Sequence, residues 1–239
     1  MQSVRLEPDI LELDARALVL RLRKSPRAKR MILRLAANED ALVLTLPPGV
    51  PREEGLAFVR RQEDWIKQRL AERPARVPFA AGVRLPLLGE EHQIRHAPHA
   101  RRGVWREGGS LWVSGSAEHL PRRLTDFLRN EARELLRARA REKWSLLDPQ
   151  SARPLRRVTV RDTTSRWGSC SSAGNLNFSW RLIFAPELVF DYVVAHEVAH
   201  LVHMNHSPAF WQLNERLTGD MKTARRWLKE RGSALLLYG

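Results

Sequence analysis

The sequence predicts an α+β fold, a β-rich N-terminal half followed by a helix-rich half. Three observations carry this. Residues 17–46 hold three short aliphatic runs with strand-like alternation, residues 120–147 hold a long amphipathic pattern, and residues 186–203 form a mostly apolar stretch with turn signals on both sides. With 239 residues and 43% hydrophobic content the chain can build one large core or two small ones.

The elements follow in order. "ALVLRLR" (17–23) alternates Leu18, Leu20 and Leu22 with other residues, and "RMILRLA" (30–36) and "ALVLTL" (41–46) are similar strands, closed by Pro47 and Pro48. "REEGLAFVRRQEDWIKQRLAER" reads as one amphipathic helix, with Leu56, Val59, Trp65, Ile66 and Leu70 near one face. "GVRLPLLG" and "EEHQIRH" are strands, and "GVWREGGSLWVSG" is a hairpin turning at Gly108–Gly109. The long helix after residue 117 shows Leu124, Phe127 or Leu128, and Leu135 at helical spacing. The change of pattern there places a domain boundary near 117, giving a basic β-rich region with one helix (1–116) and a second domain (117–239). "RRVTVRD" is a strand, and "SSAG" turns a hairpin whose second strand is "NLNFSWRL". "PELVFDYVVAHEVAHLVH" is a helix opened by Pro186 and Glu187. Ser207 caps a helix with Pro208 at its first position, stopped by Gly219, and a last short helix carries "KTARRWLKERG".

Forty-one Lys and Arg against 27 Asp and Glu give a formal charge of +14, which favours polyanionic partners without fixing the fold. The densest stretch, 21–34, contains Arg23, Lys24, Arg27, Lys29 and Arg30; it reads either as a nucleic-acid or phosphate patch or as the solvated faces of two strands. The single cysteine, Cys170, rules out an internal disulfide framework. Acids in the first twenty residues do not suit a signal peptide, and no apolar run reaches the roughly 18 residues of a membrane span. A cytoplasmic protein without membrane contact is the expectation.

The chemistry concentrates in "HEVAHLVHMNHS", which holds four of the eight histidines. His196 and His200 are four apart, so on a helix both imidazoles share one face and can share a tetrahedral ion. Glu197 points elsewhere and can reach a water on that ion without being a ligand. Two histidines and a glutamate in an apolar helix are costly to bury unless something satisfies them, and a metal would. For the third ligand the sequence favours His206: Asn205 can adopt a left-handed conformation and end the helix, letting His206 swing back. Glu215 on the following helix is the other candidate, and His203 is expected beside the site rather than in it. Tyr192, Asn205 and Arg166 are candidates for holding substrate or a developing oxyanion. In "RWGSC", Trp167 and Trp180 read as core aromatics and Gly168 as the residue that permits a bulge. Cys170 reads as a small buried residue. The strand at 175–182 could present an edge to an extended substrate.

"RWGSCSSAGNLNFSWRL" followed by "DYVVAHEVAHLVHMNHSPAFW", about 50 residues over 161–211, resembles the YgjP-like family (domain of unknown function 45) and is similar in its metal core to the SprT-type DNA–protein crosslink proteases. The resemblance implies a compact zincin-like metallopeptidase domain, with His196, His200 and His206 on one zinc ion and Glu197 as acid/base. The reading is therefore a zinc-dependent metallopeptidase that hydrolyses peptide bonds with metal-activated water. Its partners would be a protein or peptide substrate, with nucleic acid or a nucleotide on the basic N-terminal half. Two alternatives stay open. One is a metal-dependent nucleoside triphosphate pyrophosphohydrolase, against which stands the lack of a GxxxxGK[ST] loop in the sequence. The other is a non-catalytic, zinc-stabilised nucleic-acid-binding protein.

Overall fold

The structure is a computed structural model and describes residues 4–5, 9–13, 16–36, 41–72 and 75–239. The chain divides into two compact units, 1–75 and 76–239. The boundary expected near 117 is therefore displaced to 75/76. The reason is the long helix beyond 117, whose apolar face needs a sheet to cover it, and the strands of 84–114 supply that sheet.

The first unit contains β1 (Val4–Arg5), β2 (Asp9–Leu13), β3 (Arg16–Lys24), β4 (Ile32–Leu35) and β5 (Ala41–Leu46), ordered β1-β3-β5-β4 with β2 on β3. Leu18, Leu20 and Leu22 alternate inward on β3, and parallel pairing with β5 sets Leu20 beside Leu42 and Leu22 beside Leu44. They pack on Val59 and Ile66 from two helices, α1 (Arg52–Arg61) and α2 (Glu63–Ala71). The single helix expected here is broken at Gln62. The charges explain the break: α1 ends in Arg60 and Arg61, and Glu63 and Asp64 then provide the acids that suit a second helix start.

The second unit begins with β6 (Arg84–Leu87), β7 (Glu90–Ala97), β8 (Val104–Glu107) and β9 (Ser110–Ser114), ordered β6-β7-β9-β8. Gly108 and Gly109, both at positive φ, make the predicted tight turn. Then comes α3 (Leu120–Ser145), whose inward stripe is Leu120, Leu124, Leu128, Ala132, Leu136 and Ala140, a strict spacing of four. Leu136 rather than the expected Leu135 lies on it; Leu135 is 37% exposed. One core joins this stripe to Leu85, Ile94, Leu111 and Val113 of the four-stranded sheet and to the elements that follow.

Those elements are a three-stranded sheet, β10 (Arg157–Arg161), β11 (Gly168–Cys170) and β12 (Asn175–Ser179), and the helices α4 (Glu187–Ala199), α5 (Pro208–Thr218) and α6 (Met221–Arg231). The sheet order is β10-β12-β11. β12 is thus the central strand, not the edge it was expected to be, because β10 pairs with it in parallel on the side away from β11. The strand also stops at Ser179, where Trp180–Phe184 wind into a 3-10 turn and bury their side chains. α4 is buried along most of its length, which is where a mostly apolar helix belongs.

One polar network fixes α4 in place. Asp191, 8% exposed, accepts from Arg139 at 2.6 Å and from Lys143 at 2.9 Å, both on α3, and Lys143 also donates to the Leu217 carbonyl at the end of α5 at 2.6 Å. Removing the carboxylate would leave the buried Lys143 with no acidic partner, while Arg139 would keep Glu187 and Glu142. Asp191→Ala is therefore expected to cost about 3–5 kcal/mol of unfolding free energy, read from denaturant curves, with Asp191→Asn costing less.

Candidate metal centre

α4 brings His196 and Glu197 to its last turn and ends there: His200 is its C-cap. The amides of Leu201, Val202 and His203 fold back onto the carbonyls of Val198 and Ala199 at 2.9–3.1 Å, and the buried Leu201 anchors the loop. The helix thus stops five residues before Asn205, and Asn205 is not left-handed, since the only non-glycine residue at positive φ among the described residues is Leu88. The reversal that delivers His206 is nonetheless made, and Ser207 then caps α5 through the Phe210 amide at 3.4 Å.

His196, His200 and His206 converge, with one ring nitrogen from each within 4.8 Å of the others. The Nε2 atoms of His196 and His206 are 3.2 Å apart. His200 Nδ1 lies 2.9 Å from the His203 carbonyl, which can only accept, so that nitrogen carries the proton and Nε2 keeps its lone pair. Phe210 forms a floor beneath all three, its ring 5.0, 4.5 and 4.7 Å from those of His196, His200 and His206. Trp211 stacks on His206 at 5.5 Å, and the Arg225 guanidinium lies 4.6 Å over Trp211.

The electrostatics suit a metal. Burial first, then the two other histidines, pushes His196 down to about 3, and burial lowers His200 as well. Neutral imidazole is the ligand form, so at neutral pH little proton release opposes binding at these two. The donor set thus fits a divalent ion such as zinc. Glu197, 6% exposed, is raised to about 7 by burial, with the Arg166 charge acting in the opposite direction. Glu197 and His196 face a cavity of about 230 Å³ that Trp167, Gly168, Tyr192, Val193 and Leu228 complete.

The YgjP-like, metallopeptidase domain family model matches residues 29–231, well over half of the chain. The chain belongs to that family. No curated protein and no solved structure gives a significant match. Membership in this YgjP-like family implies a metal-dependent hydrolase of the peptidase kind, and the three converging histidines are where its metal can bind.

The other sequence candidates fall at different distances from this centre. Tyr192 lines the cavity, its ring 5.9 Å from His196, and burial raises its hydroxyl above the usual range. Arg166 is exposed and lines a separate cavity of about 310 Å³ with Arg161, Ser169 and Asn177. Asn205 is exposed in the loop, and no hydrogen bond or ring contact among the described residues links it to the histidines. Glu215 is exposed on α5 and is not in the cluster. His203 contributes only its backbone carbonyl. Cys170 is half-buried, and burial, then Glu197, pushes its thiol up to about 11. Arg23, Lys24, Arg27, Lys29 and Arg30 are all exposed in the first unit.

Sequence reasoning missed Phe210, Trp211, Arg225 and Leu228, although two aromatics directly after a helix cap were a visible signal. It also misread Gly168. This residue sits in regular strand pairing opposite Phe178, so no bulge is involved. A Cβ here would lie 2.5 Å from Glu197 Cγ and 2.6 Å from its Oε1. The glycine is there to let the carboxylate lie against the strand. Gly168→Ala is expected to destabilise by about 1–3 kcal/mol, the usual cost of overpacking, and that cost should largely vanish in a Glu197→Ala background. Denaturant unfolding of the four proteins in the cycle reads the coupling. Trp180 is the buried aromatic expected, whereas Trp167 lines the cavity.

Proposed function

We propose that the chain is a zinc-dependent peptidase, with one zinc ion per chain on His196, His200 and His206 and Glu197 as general acid/base. One observation carries the reading: three imidazoles converge beside a buried carboxyl whose pKa is raised to about 7. A carboxyl near neutrality can both take and return a proton. When bound, zinc would lower the pKa of a water and polarise the scissile carbonyl. Glu197 takes the proton of that water as its oxygen bonds to the carbonyl carbon. It then hands the proton to the amide nitrogen as the carbon–nitrogen bond breaks, releasing an amine and a carboxylic acid.

Tyr192, which lines the cavity, is the first candidate donor for the developing oxyanion, with Arg166 next through its charge and Asn205 last. β11 is an edge strand beside Glu197, so an extended peptide can pair with its free side. The aromatic and aliphatic walls of Trp167, Val193 and Leu228 suit an apolar side chain next to the scissile bond.

Structural zinc sites have four protein ligands, and the three converging here leave a position open among the described residues. That favours catalysis over a purely zinc-stabilised binder. The five exposed basic residues of the first unit remain a proposed contact for nucleic acid or a nucleotide, and the cytoplasm the proposed location. No helix among the described residues is long and apolar enough to cross a membrane.

The test is incubation of metal-loaded protein with an unfolded protein substrate, with and without a chelator, and in parallel with nucleoside triphosphates. Chelator-sensitive peptide fragments are expected. Intact substrate at full metal occupancy, with pyrophosphate released instead, would replace this reading by the pyrophosphohydrolase.

A further inference from the structure

A second site lies in the same unit, among residues that take no part in the metal centre. The last turns of α3 and the segment leading into β10 enclose a cleft of about 660 Å³. Arg137 and Arg141, one turn apart, line it from the helix, and Arg156 and Arg157 line it from the strand side. Trp144 lines it as well; it is 38% exposed, and its indole N–H donates to the Arg153 carbonyl at 3.1 Å, which holds the ring in place. Only Arg137 has an acidic partner, the exposed Glu134 at 3.1 Å; among the described residues no ion pair holds Arg141, Arg156 or Arg157.

The geometry points to this cleft as a binding site for single-stranded nucleic acid, with the arginines on successive phosphates and Trp144 stacked on an unpaired base. Three features favour that occupant. Unneutralised guanidiniums on both walls call for a thin polyanion between them. A large exposed aromatic fixed among them offers a flat face that carboxylates of an acidic peptide would not use, whereas every base would. The surface is concave, so a flat membrane would not reach its floor, and a duplex keeps its bases away from the indole. The inference does not depend on peptidase activity.

The test uses the full-length protein and a labelled oligonucleotide of about 20 nucleotides, followed by fluorescence anisotropy at several salt concentrations. Binding should weaken with salt, with a log–log slope of about −2 to −3 for three or four phosphate contacts on a single strand. Arg141→Gln/Arg156→Gln/Arg157→Gln alters exposed side chains, so folding should be kept, as thermal unfolding will verify. Its affinity should fall more than about tenfold and its slope should flatten by about 2. Trp144→Ala should lose about tenfold on the oligonucleotide and little on heparin, which has charge but no bases, and Trp144→Phe should restore most of the loss. Unchanged binding in the arginine variant overturns the proposal. So does equal binding of duplex, heparin and single strand with no effect of Trp144, which would make the cleft a plain polyanion patch. Loss of binding to anionic vesicles or poly-glutamate alone in these variants would assign it to a membrane or an acidic protein instead.

Discussion

Glu197→Gln is expected to lower peptide hydrolysis by about 10²–10⁴-fold while zinc content and folding are kept. Glutamine has nearly the size of the native side chain and fits the space that Gly168 leaves. It stands outside the histidine cluster, so it removes no metal ligand. What it removes is the proton acceptor. The same substitution has an opposite effect on the metal-free protein. Burial raises the Glu197 pKa from 4.5 to about 7, so the unfolded chain ionises this group before the folded one does. Between those pH values the folded state binds the proton more tightly, and stability falls as pH rises; above about 7 the loss is complete. In chelator, the Gln variant should therefore be the more stable protein above pH 7, by up to about 3 kcal/mol, with the gap closing as pH falls toward 4.5. A gain in metal-free stability together with lost hydrolysis marks a group held in place for chemistry. Full hydrolysis by a zinc-loaded, folded Gln variant would sink the mechanism.

How much of this was legible in the sequence depended on whether the governing interaction was local. The four-residue step from His196 to His200 on an apolar helix, the Ser207 cap and the Gly108–Gly109 turn are local, and the structure keeps all three. The end of α4 was misplaced because Asn205 was weighed by its conformational tolerance. The turn instead follows directly on His200, and its imidazole bonds the carbonyl of His203. Gly168 was misread because its reason is a glutamate 29 positions along the chain, which no local pattern reveals. The shift from strands to helix at 117 is legible in the sequence but marks no unit boundary, because α3 needs the preceding strands to cover it. Asp191 left a trace that went unused: a carboxylate in an otherwise apolar helix must have buried partners, and Arg139 and Lys143 are those partners.

Alanine at His196, His200 or His206 should each abolish stoichiometric zinc, while alanine at His203 or Glu215 should not. Each of the three contributes one of the converging nitrogens. Loss of a partner outside the coordination sphere typically costs 10–100-fold in metal affinity, roughly, and loss of a direct donor should exceed that. His203 makes the sharper comparison. It is three residues from His200, where a continuous helix would bring its imidazole toward the same face, yet its part in the site is the backbone carbonyl that accepts from His200 Nδ1. An alanine keeps that carbonyl, so the His200 tautomer and the metal should both survive. Zinc content by mass spectrometry reads occupancy, and thermal unfolding with and without added zinc reads linkage. At a hundredfold excess over Kd, wild type and His203→Ala should gain about 2.7 kcal/mol from the ion, and the three ligand variants close to none. The pattern is specific to the loop as drawn. If His203→Ala emptied the site while His206→Ala stayed loaded, α4 would have to continue past His200, and the reversal that carries His206 back to His196 would be wrong.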